Sequence, residues 1–191
     1  MNRRNYLKSI LALAGIAITS LSVTKWLNIN YLIDEKELWG KRTIIAELAE
    51  MIIPASDTPG AKMASVDHYI IKVLLNCRNT RQQHKFLSGI DEIERFTKST
   101  FGLEFLDCGE PNRHKVLQHF YEKGSNSHGF LSKIQERFLG KPFFSELRQL
   151  TVEGYCQSKL GATNGLAYDY IPRVYEPCTF LNPHQKSWAT K

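Results

Sequence analysis

The sequence lacks the short motifs that would hold a nucleotide or present an activated serine. It contains no Gly-x-Gly-x-x-Gly loop, so the nicotinamide- and flavin-dinucleotide folds are not indicated. It also contains neither a Walker loop nor a Gly-x-Ser-x-Gly elbow. Because a site can also assemble from scattered residues, these absences do not exclude an enzyme. They leave no residue that the sequence marks as catalytic.

Cysteine is scarce, and its spacing fits no haem or metal motif. No C-x-x-C or C-x-x-C-H occurs, which excludes haem attachment by that motif and argues against zinc or iron–sulfur ligation. In an exported chain an even number of thiols predicts at least one disulfide, whose connectivity the sequence does not choose. The alternative is buried thiols that pack as small apolar side chains. The four candidates are Cys77, Cys108, Cys156 and Cys178.

The six histidines are not spaced as metal ligands. No two of them stand in a His-x-x-x-His or His-Glu-x-x-His pattern, so no metal site is predicted. Asp67 and His68 stand at the predicted start of a helix. A carboxylate there is expected to be solvated and to complement the helix dipole, rather than to act in catalysis.

The excess of basic residues does not form a nucleic-acid footprint. The formal net charge is +6, and Arg3, Arg4 and Lys8 all precede the first acidic residue, Asp34. The remaining lysines and arginines are scattered along the chain, whereas binding to phosphates needs a concentrated basic face. We therefore predict no nucleic acid among the partners.

Residues 1–30 read as an export signal. A basic start followed by a short apolar run is typical of secretory targeting, and paired arginines make this a twin-arginine signal that a receptor reads. The pattern is similar to Ser/Thr-Arg-Arg-x-Phe-Leu-Lys, with Asn2 as one departure and a tyrosine in place of phenylalanine as the other. The signal residues are Arg3, Arg4, Tyr6, Leu7 and Lys8.

The apolar part of this signal is short for a membrane span. Residues 10–23 fall below the roughly 20 residues that a spanning helix needs, and Gly15 and Thr19 dilute them. No clean Ala-x-Ala cleavage site follows. The sequence thus predicts a periplasmic protein, and an uncleaved signal that tethers it to the inner membrane is left open. Because the twin-arginine route moves folded proteins, a chain without a cofactor motif is expected to take a cofactor-bearing partner with it. The alternative is a fast-folding protein that is exported on its own.

Helical periodicity dominates from Glu35 onward. A first apolar face ends before Pro54, and the residues after it have the composition of a structured loop. Ser65 and Thr80 are predicted to cap the next two helices, and Gly102 to end the second of them. No stretch alternates with a period of two. The predicted fold class is all-α, with a single helical domain of five to six helices over residues 31–165.

Further helices follow the same reasoning. Pro111 suits the first turn of one helix. A short helix is predicted over residues 129–139, and another from near Pro142 towards Lys159.

The chain changes character over residues 166–191. Prolines there disfavour a helix, so an extended tail is predicted that either wraps its own domain or lies on a partner. The aromatic residues of this tail are Tyr168, Tyr170, Tyr175, Phe180 and Trp188, and its prolines are Pro172, Pro177 and Pro183.

Four segments, in consistent order, resemble the gluconate 2-dehydrogenase subunit 3 (gamma subunit) family. They are the twin-arginine start, LAEMIIPASDTPGA over residues 48–61, LRQLTVEGY over 147–155 and YDYIPRVYEPC over 168–178. Arg173 is a departure, because related sequences often have glycine after the proline.

The resemblance implies a non-catalytic subunit of a periplasmic dehydrogenase complex. The large subunit would be a flavin-dependent dehydrogenase of the glucose–methanol–choline oxidoreductase type that binds FAD and oxidises a sugar or sugar acid. In many such systems a multihaem cytochrome c is a third subunit. The small subunit would bind no cofactor itself, and it would carry the flavoprotein through the twin-arginine translocase and help it mature.

The same segments supply candidate partner contacts, although helix connection and packing are the alternative roles for several of them. The candidate contacts are Pro54, Asp57, Pro59, Gly60, Tyr155, Tyr168, Tyr170, Pro172 and Tyr175.

Two other functions stay open. The chain could be a membrane-tethered periplasmic binding module, or an enzyme that acts alone through a site without a motif.

Overall fold

The computed structural model describes residues 33–125, 142–171, 178, 180 and 183–189. These residues confirm the all-α class, since they contain no strand beyond an isolated bridge between Ala167 and Trp188. The predicted signal of residues 1–30, the predicted helix over 129–139, and Pro172 and Tyr175 lie outside the described residues. The helices are α1 Glu35–Gly40, α2 Arg42–Ile52, α3 Val66–Cys77, α4 Thr80–Phe101, α5 Glu110–Ser125 and α6 Phe143–Gln157.

Two short helical turns complete the described fold. The 3₁₀ turn Phe105–Asp107 joins α4 to α5. The π-helical turn Gly161–Gly165 follows α6. Within the described ranges, no helix combines the length and apolarity that a membrane crossing requires.

The ends of α4 show what the sequence predicted and what it missed. Gly102 ends this helix with a φ of 71°, a left-handed conformation that glycine adopts without steric cost, as predicted. The predicted cap Thr80 is wrong, because the N-cap is Asn79. The Asn79 side chain accepts from the Gln82 backbone N–H at 2.9 Å, and the Gln82 side chain accepts from the Asn79 N–H at 3.2 Å. This reciprocal pair satisfies two backbone donors.

At the start of α3, Ser65 occupies the predicted cap position with a φ of 54°, but its side chain makes no capping hydrogen bond.

The core lies where α6 packs against α2, α3, α4 and α5. The predicted apolar face of α2 is confirmed. Ile44, Ile45 and Leu48 are buried, and Met51 and Ile52 near the end of the helix are half-buried. Each fully buried aliphatic side chain stabilises the fold by about 1.5–3 kcal/mol. The largest fully buried side chains outside α2 include Ile70, Leu74, Ile90, Ile93, Leu147 and Leu150.

Helices α3 and α6 run antiparallel and in close contact. A Cβ on Gly154 would lie 2.7 Å from Cδ1 of Tyr69, so the absence of a side chain lets the two helices approach. At the other end of the pair, Arg78 Nε donates to Glu146 Oε1 at 2.6 Å. Early α3 therefore meets late α6, and late α3 meets early α6.

This antiparallel arrangement bears on the predicted disulfide. Cys77 ends α3 and Cys156 lies near the end of α6, so the two lie at opposite ends of the helix pair, on the order of 14 Å apart at 1.5 Å per residue. That separation is about twice what a disulfide spans. The structure does not show the predicted disulfide: all four cysteines are free thiols, with Cys108 buried and the other three exposed. For Cys77 the alternative expectation, a buried thiol that packs as a small apolar side chain, is wrong, because this residue is exposed.

Lys41 joins the α1–α2 junction to α4. Its Nζ lies 2.5 Å from Glu94 Oε2 and 3.2 Å from Asp91 Oδ1. Partial burial acts to lower the pKa of Lys41, but the hydrogen bonds to Glu94 and Asp91 outweigh it and raise that pKa above its ordinary value. The ammonium group therefore stays charged throughout the physiological range.

Candidate partner-binding surface

The loop between α2 and α3, residues 53–65, is built around the carboxylate of Glu50. Glu50 Oε1 accepts from the backbone N–H of Ala55 at 3.1 Å, and Oε2 accepts from that of Lys62 at 2.8 Å. A Cβ on Gly60 would lie 2.3 Å from Oε1 and 2.7 Å from the Ala55 nitrogen. Gly60 is thus required because the carboxylate occupies the space that a side chain would need.

The loop backbone satisfies much of its own hydrogen-bonding capacity. Ala61 N–H donates to the Ile53 carbonyl at 3.0 Å, and Ser56 N–H donates to the Thr58 carbonyl at 3.0 Å. These bonds fix the shape of the loop between two helices. Its apex from Pro54 to Asp57 is nevertheless exposed. Among the predicted contacts, Pro54 and Asp57 are therefore accessible, Pro59 is half-buried and Gly60 is buried.

Tyr155 connects this loop to the segment after α6. Its hydroxyl donates to the Pro59 carbonyl at 2.8 Å, and the residue is 7% exposed. On the side of the π-helical turn, a Cβ on Gly165 would lie 2.6 Å from the Tyr155 hydroxyl oxygen. A Cβ on Gly161 would lie 2.0 Å from the Tyr155 carbonyl oxygen. Tyr155 is a packing residue that holds two surface segments together, and it does not itself offer a surface to a partner.

The C-terminal tail is attached to its own chain at a few points. Lys186 Nζ donates to the Asn164 carbonyl at 2.6 Å. Ala167 N–H donates to the Ser187 carbonyl at 2.8 Å, and Ala189 N–H donates to the Ala167 carbonyl at 2.8 Å. These contacts return the end of the tail to the π-helical turn, so part of the tail folds back on its own domain.

Most large apolar side chains of the described tail remain uncovered. Tyr170 is 84% exposed and Phe180 is 94% exposed. Burying an aromatic ring removes 150–250 Å² from water, so rings left exposed in this way mark a surface that another molecule can cover. The exposed set is Tyr168, Tyr170, Ile171, Phe180 and Trp188.

A network of charges supports the loop from the side of α5. Glu47 accepts from Lys62 Nζ at 2.5 Å through Oε1 and from Arg113 Nη1 at 2.9 Å through Oε2. A second nitrogen of Arg113, Nη2, donates to the Leu106 carbonyl at 2.5 Å. Sequence reasoning missed Glu47 and Arg113, because no local spacing pairs an α2 carboxylate with an α5 guanidinium. It also missed Glu50, because the two backbone donors that this residue binds lie 5 and 12 residues further along, in the loop.

Asp67 lies in the first turn of α3, as predicted, but its solvation differs from the expectation. Asp67 is not solvated, since its side chain is 5% exposed and accepts from Arg42 Nε at 2.6 Å. Among the described residues, the buried Nε2 of His68 has no hydrogen-bond partner, although it lies 3.9 Å from Asp67 Oδ2, and the ring packs edge-on against Trp39 with centroids 5.3 Å apart. Asp67 thus pairs across α2 and α3. In the part of the chain that the structure describes, no three His, Cys, Asp or Glu side chains are grouped to hold a metal ion.

The role of Glu50 can be tested by replacement with glutamine. Glu50→Gln keeps the shape but leaves a single acceptor oxygen for two backbone donors, so we expect the free energy of unfolding to fall by about 2 kcal/mol. Urea denaturation would measure this loss, and hydrogen exchange at the Ala55 and Lys62 amides should accelerate. The control Glu37→Gln, at an exposed carboxylate of α1, should cost less than about 1 kcal/mol. Equal losses in the two variants would show that the carboxylate does not hold the loop.

Comparison with known proteins places these features in a family. A family model described as Gluconate 2-dehydrogenase subunit 3 matches residues 40–172. That range contains the loop, the Glu47–Arg113 network, Tyr155 and the π-helical turn. No curated protein and no solved structure shows significant similarity to the chain. The match covers well over half of the sequence, and the chain therefore belongs to the gluconate 2-dehydrogenase subunit 3 family, as a subunit of a dehydrogenase complex.

Proposed function

We propose that this chain is the small, non-catalytic subunit of a periplasmic flavin-dependent dehydrogenase complex that oxidises gluconate or another sugar or polyol. It binds the large flavoprotein subunit in the cytoplasm, carries it through the twin-arginine translocase and supports its maturation. The chain itself holds no cofactor. The large subunit binds FAD, and a cytochrome c subunit passes electrons to the membrane.

The observation that carries this proposal is the exposure of the tail aromatics. Ala167 and Ser187 are hydrogen-bonded, whereas Tyr170 and Phe180 lie almost entirely in water. Covering each ring would contribute about 1.5–3 kcal/mol to an interface. A helical body that presents such a segment is suited to binding a protein partner.

The proposed export role depends on the paired arginines. Because the twin-arginine route accepts folded proteins, a large subunit without its own signal can cross only while bound to this chain. Arg3 and Arg4 then have to serve both polypeptides, so one signal determines where the flavoprotein is found.

Co-expression with the large flavoprotein subunit tests the escort role. Changing Arg3→Lys and Arg4→Lys together keeps the charge but removes the twin-arginine pattern. We expect active flavoprotein to disappear from the periplasmic fraction and to accumulate in the cytoplasm. If it still reached the periplasm and remained active, the escort role would be wrong.

A second variant separates binding from export. Tyr170→Ser with Phe180→Ser should leave export of this chain intact while the flavoprotein stays in the cytoplasm. The matched control is Val152→Ser on α6, where an apolar side chain is 46% exposed. If the flavoprotein were exported normally with the tail variant, the tail would not be part of the binding surface.

A further inference from the structure

The turn between α4 and α5, residues 102–109, exposes two leucines on a well-packed backbone. Leu103 is 46% exposed and Leu106 is 37% exposed. Between and after them, Phe105 is 1% exposed and Cys108 is 3% exposed. The buried pair anchors the turn in the core, and the leucines are directed away from it.

The structure holds this turn rigidly from α5. Arg113 Nη2 donates to the Leu106 carbonyl at 2.5 Å, and its guanidinium carbon lies 5.6 Å from the centroid of the Phe105 ring. Arg113 is in turn paired with Glu47 at 2.9 Å. The exposure of the leucines therefore belongs to an ordered surface, and their immobilisation on binding would cost little backbone entropy.

The same network brings this turn beside the loop of residues 53–65. Glu47 binds Lys62 of the loop through one oxygen and Arg113 through the other. The residue after Lys62, Met63, is 62% exposed. We name the three exposed side chains on the two sides of this charge network, Met63, Leu103 and Leu106, the corner patch.

Exposed acidic residues flank the leucines of the corner patch in the sequence. Glu104, Asp107 and Glu110 are all exposed, and no lysine or arginine occurs between Phe101 and Pro111. Within the described ranges, none of the three carboxylates takes part in a salt bridge. This local acidity stands out in a chain whose formal net charge is +6. Complementary interfaces place opposite charges around an apolar centre, so a partner would present a basic rim.

We propose that the corner patch is a second contact area for the large dehydrogenase subunit, separate from the tail. The facing surface of that subunit would be apolar at its centre and carry lysine or arginine at its edge. This inference rests on the proposed function, because it takes the large subunit as the occupant.

Binding of the purified full chain to the purified large subunit tests the apolar part. Leu103→Glu with Leu106→Glu should weaken binding by at least about tenfold, as loss of a central apolar contact does. The matched control Val152→Glu changes a side chain that is likewise 46% exposed, and it should alter the affinity by less than about twofold. Because both leucines are exposed, thermal unfolding should remain close to that of the wild type.

A charge-reversal variant tests the acidic rim independently. Glu104→Lys with Asp107→Lys should slow association by about tenfold at low salt, and this difference should shrink as salt is raised. The control is Glu37→Lys on α1, at the other end of α2 from the loop, which should leave the association rate unchanged.

The outcomes are distinguishable. If the wild-type chain does not bind the large subunit at all, the proposed function fails. If the wild type binds and both corner-patch variants bind equally well, the inference alone is overturned. If Leu103→Glu with Leu106→Glu instead converts an oligomer of the chain into a monomer, the patch is a contact between copies, and the inference is again wrong.

Discussion

Replacing Gly60 with valine is expected to lower the free energy of unfolding by about 3 kcal/mol. A Cβ at this position would lie 2.3 Å from Glu50 Oε1 and 2.7 Å from the backbone nitrogen of Ala55. The glutamate side chain can rotate away, but it then abandons two backbone donors, and the Ala55 backbone has no comparable freedom. The loss combines overpacking with two hydrogen bonds to a charged acceptor. Urea denaturation of the purified chain would measure it.

A matched glycine provides the control. Gly40 ends α1, and a Cβ added there would meet no heavy atom within 4 Å, so Gly40→Ala should leave stability unchanged or raise it by up to about 1 kcal/mol. We also expect Gly60→Val to weaken binding of the large subunit, because the exposed apex from Pro54 to Asp57 would shift with the loop. Equal stability of the two variants would mean that the loop repacks freely around Glu50.

Replacing Tyr155 with alanine is expected to cost about 3–5 kcal/mol, the usual loss for a buried aromatic side chain. The ring is 7% exposed and lies between the loop and the π-helical turn, so its removal leaves a cavity that borders both. Tyr155→Phe keeps the ring and removes only the hydroxyl that donates to the Pro59 carbonyl. It should cost about 1 kcal/mol. Thermal or urea unfolding of the two variants separates packing from hydrogen bonding.

Tyr170, in contrast to Tyr155, is expected to affect binding and not stability. It is 84% exposed, so Tyr170→Ala should change stability by less than about 0.5 kcal/mol while it weakens binding of the large subunit. Tyr155→Ala costing less than about 1 kcal/mol would contradict its role as the connection between the two segments. Two tyrosines from the resembling segments thus have separate roles, one in the fold and one in the proposed interface.

The loop of residues 53–65 has a buried support and an exposed apex. The sequence indicated a structured connection that could also contact a partner, and the structure separates these two parts. Gly60 and Tyr155 belong to its support, together with Glu50. Pro54 and Asp57 form its accessible apex, and whether a partner meets them stays a prediction.

Local sequence patterns determined the helices and several of their ends. The spacing of Ile44, Ile45 and Leu48 predicts a buried face because residues three and four apart share one side of a helix. Gly102 and Pro111 act through their own backbone geometry, which does not depend on distant segments. The resemblance to the family likewise follows from short segments in order, and the family match over residues 40–172 confirms it.

Tertiary structure alone decided how those helices meet. Tyr155 reaches Pro59 across 96 residues, and Arg113 reaches Glu47 across 66. Asp67 is buried against Arg42 instead of being solvated, and Cys77 is exposed instead of packing in the core. The sequence by itself determines which face of each helix is apolar, because that depends on near neighbours. Only the packing of distant helices determines which polar side chains pair and which leucines remain exposed. Those contacts join segments far apart in the chain, and no local sequence pattern in one segment indicates the other.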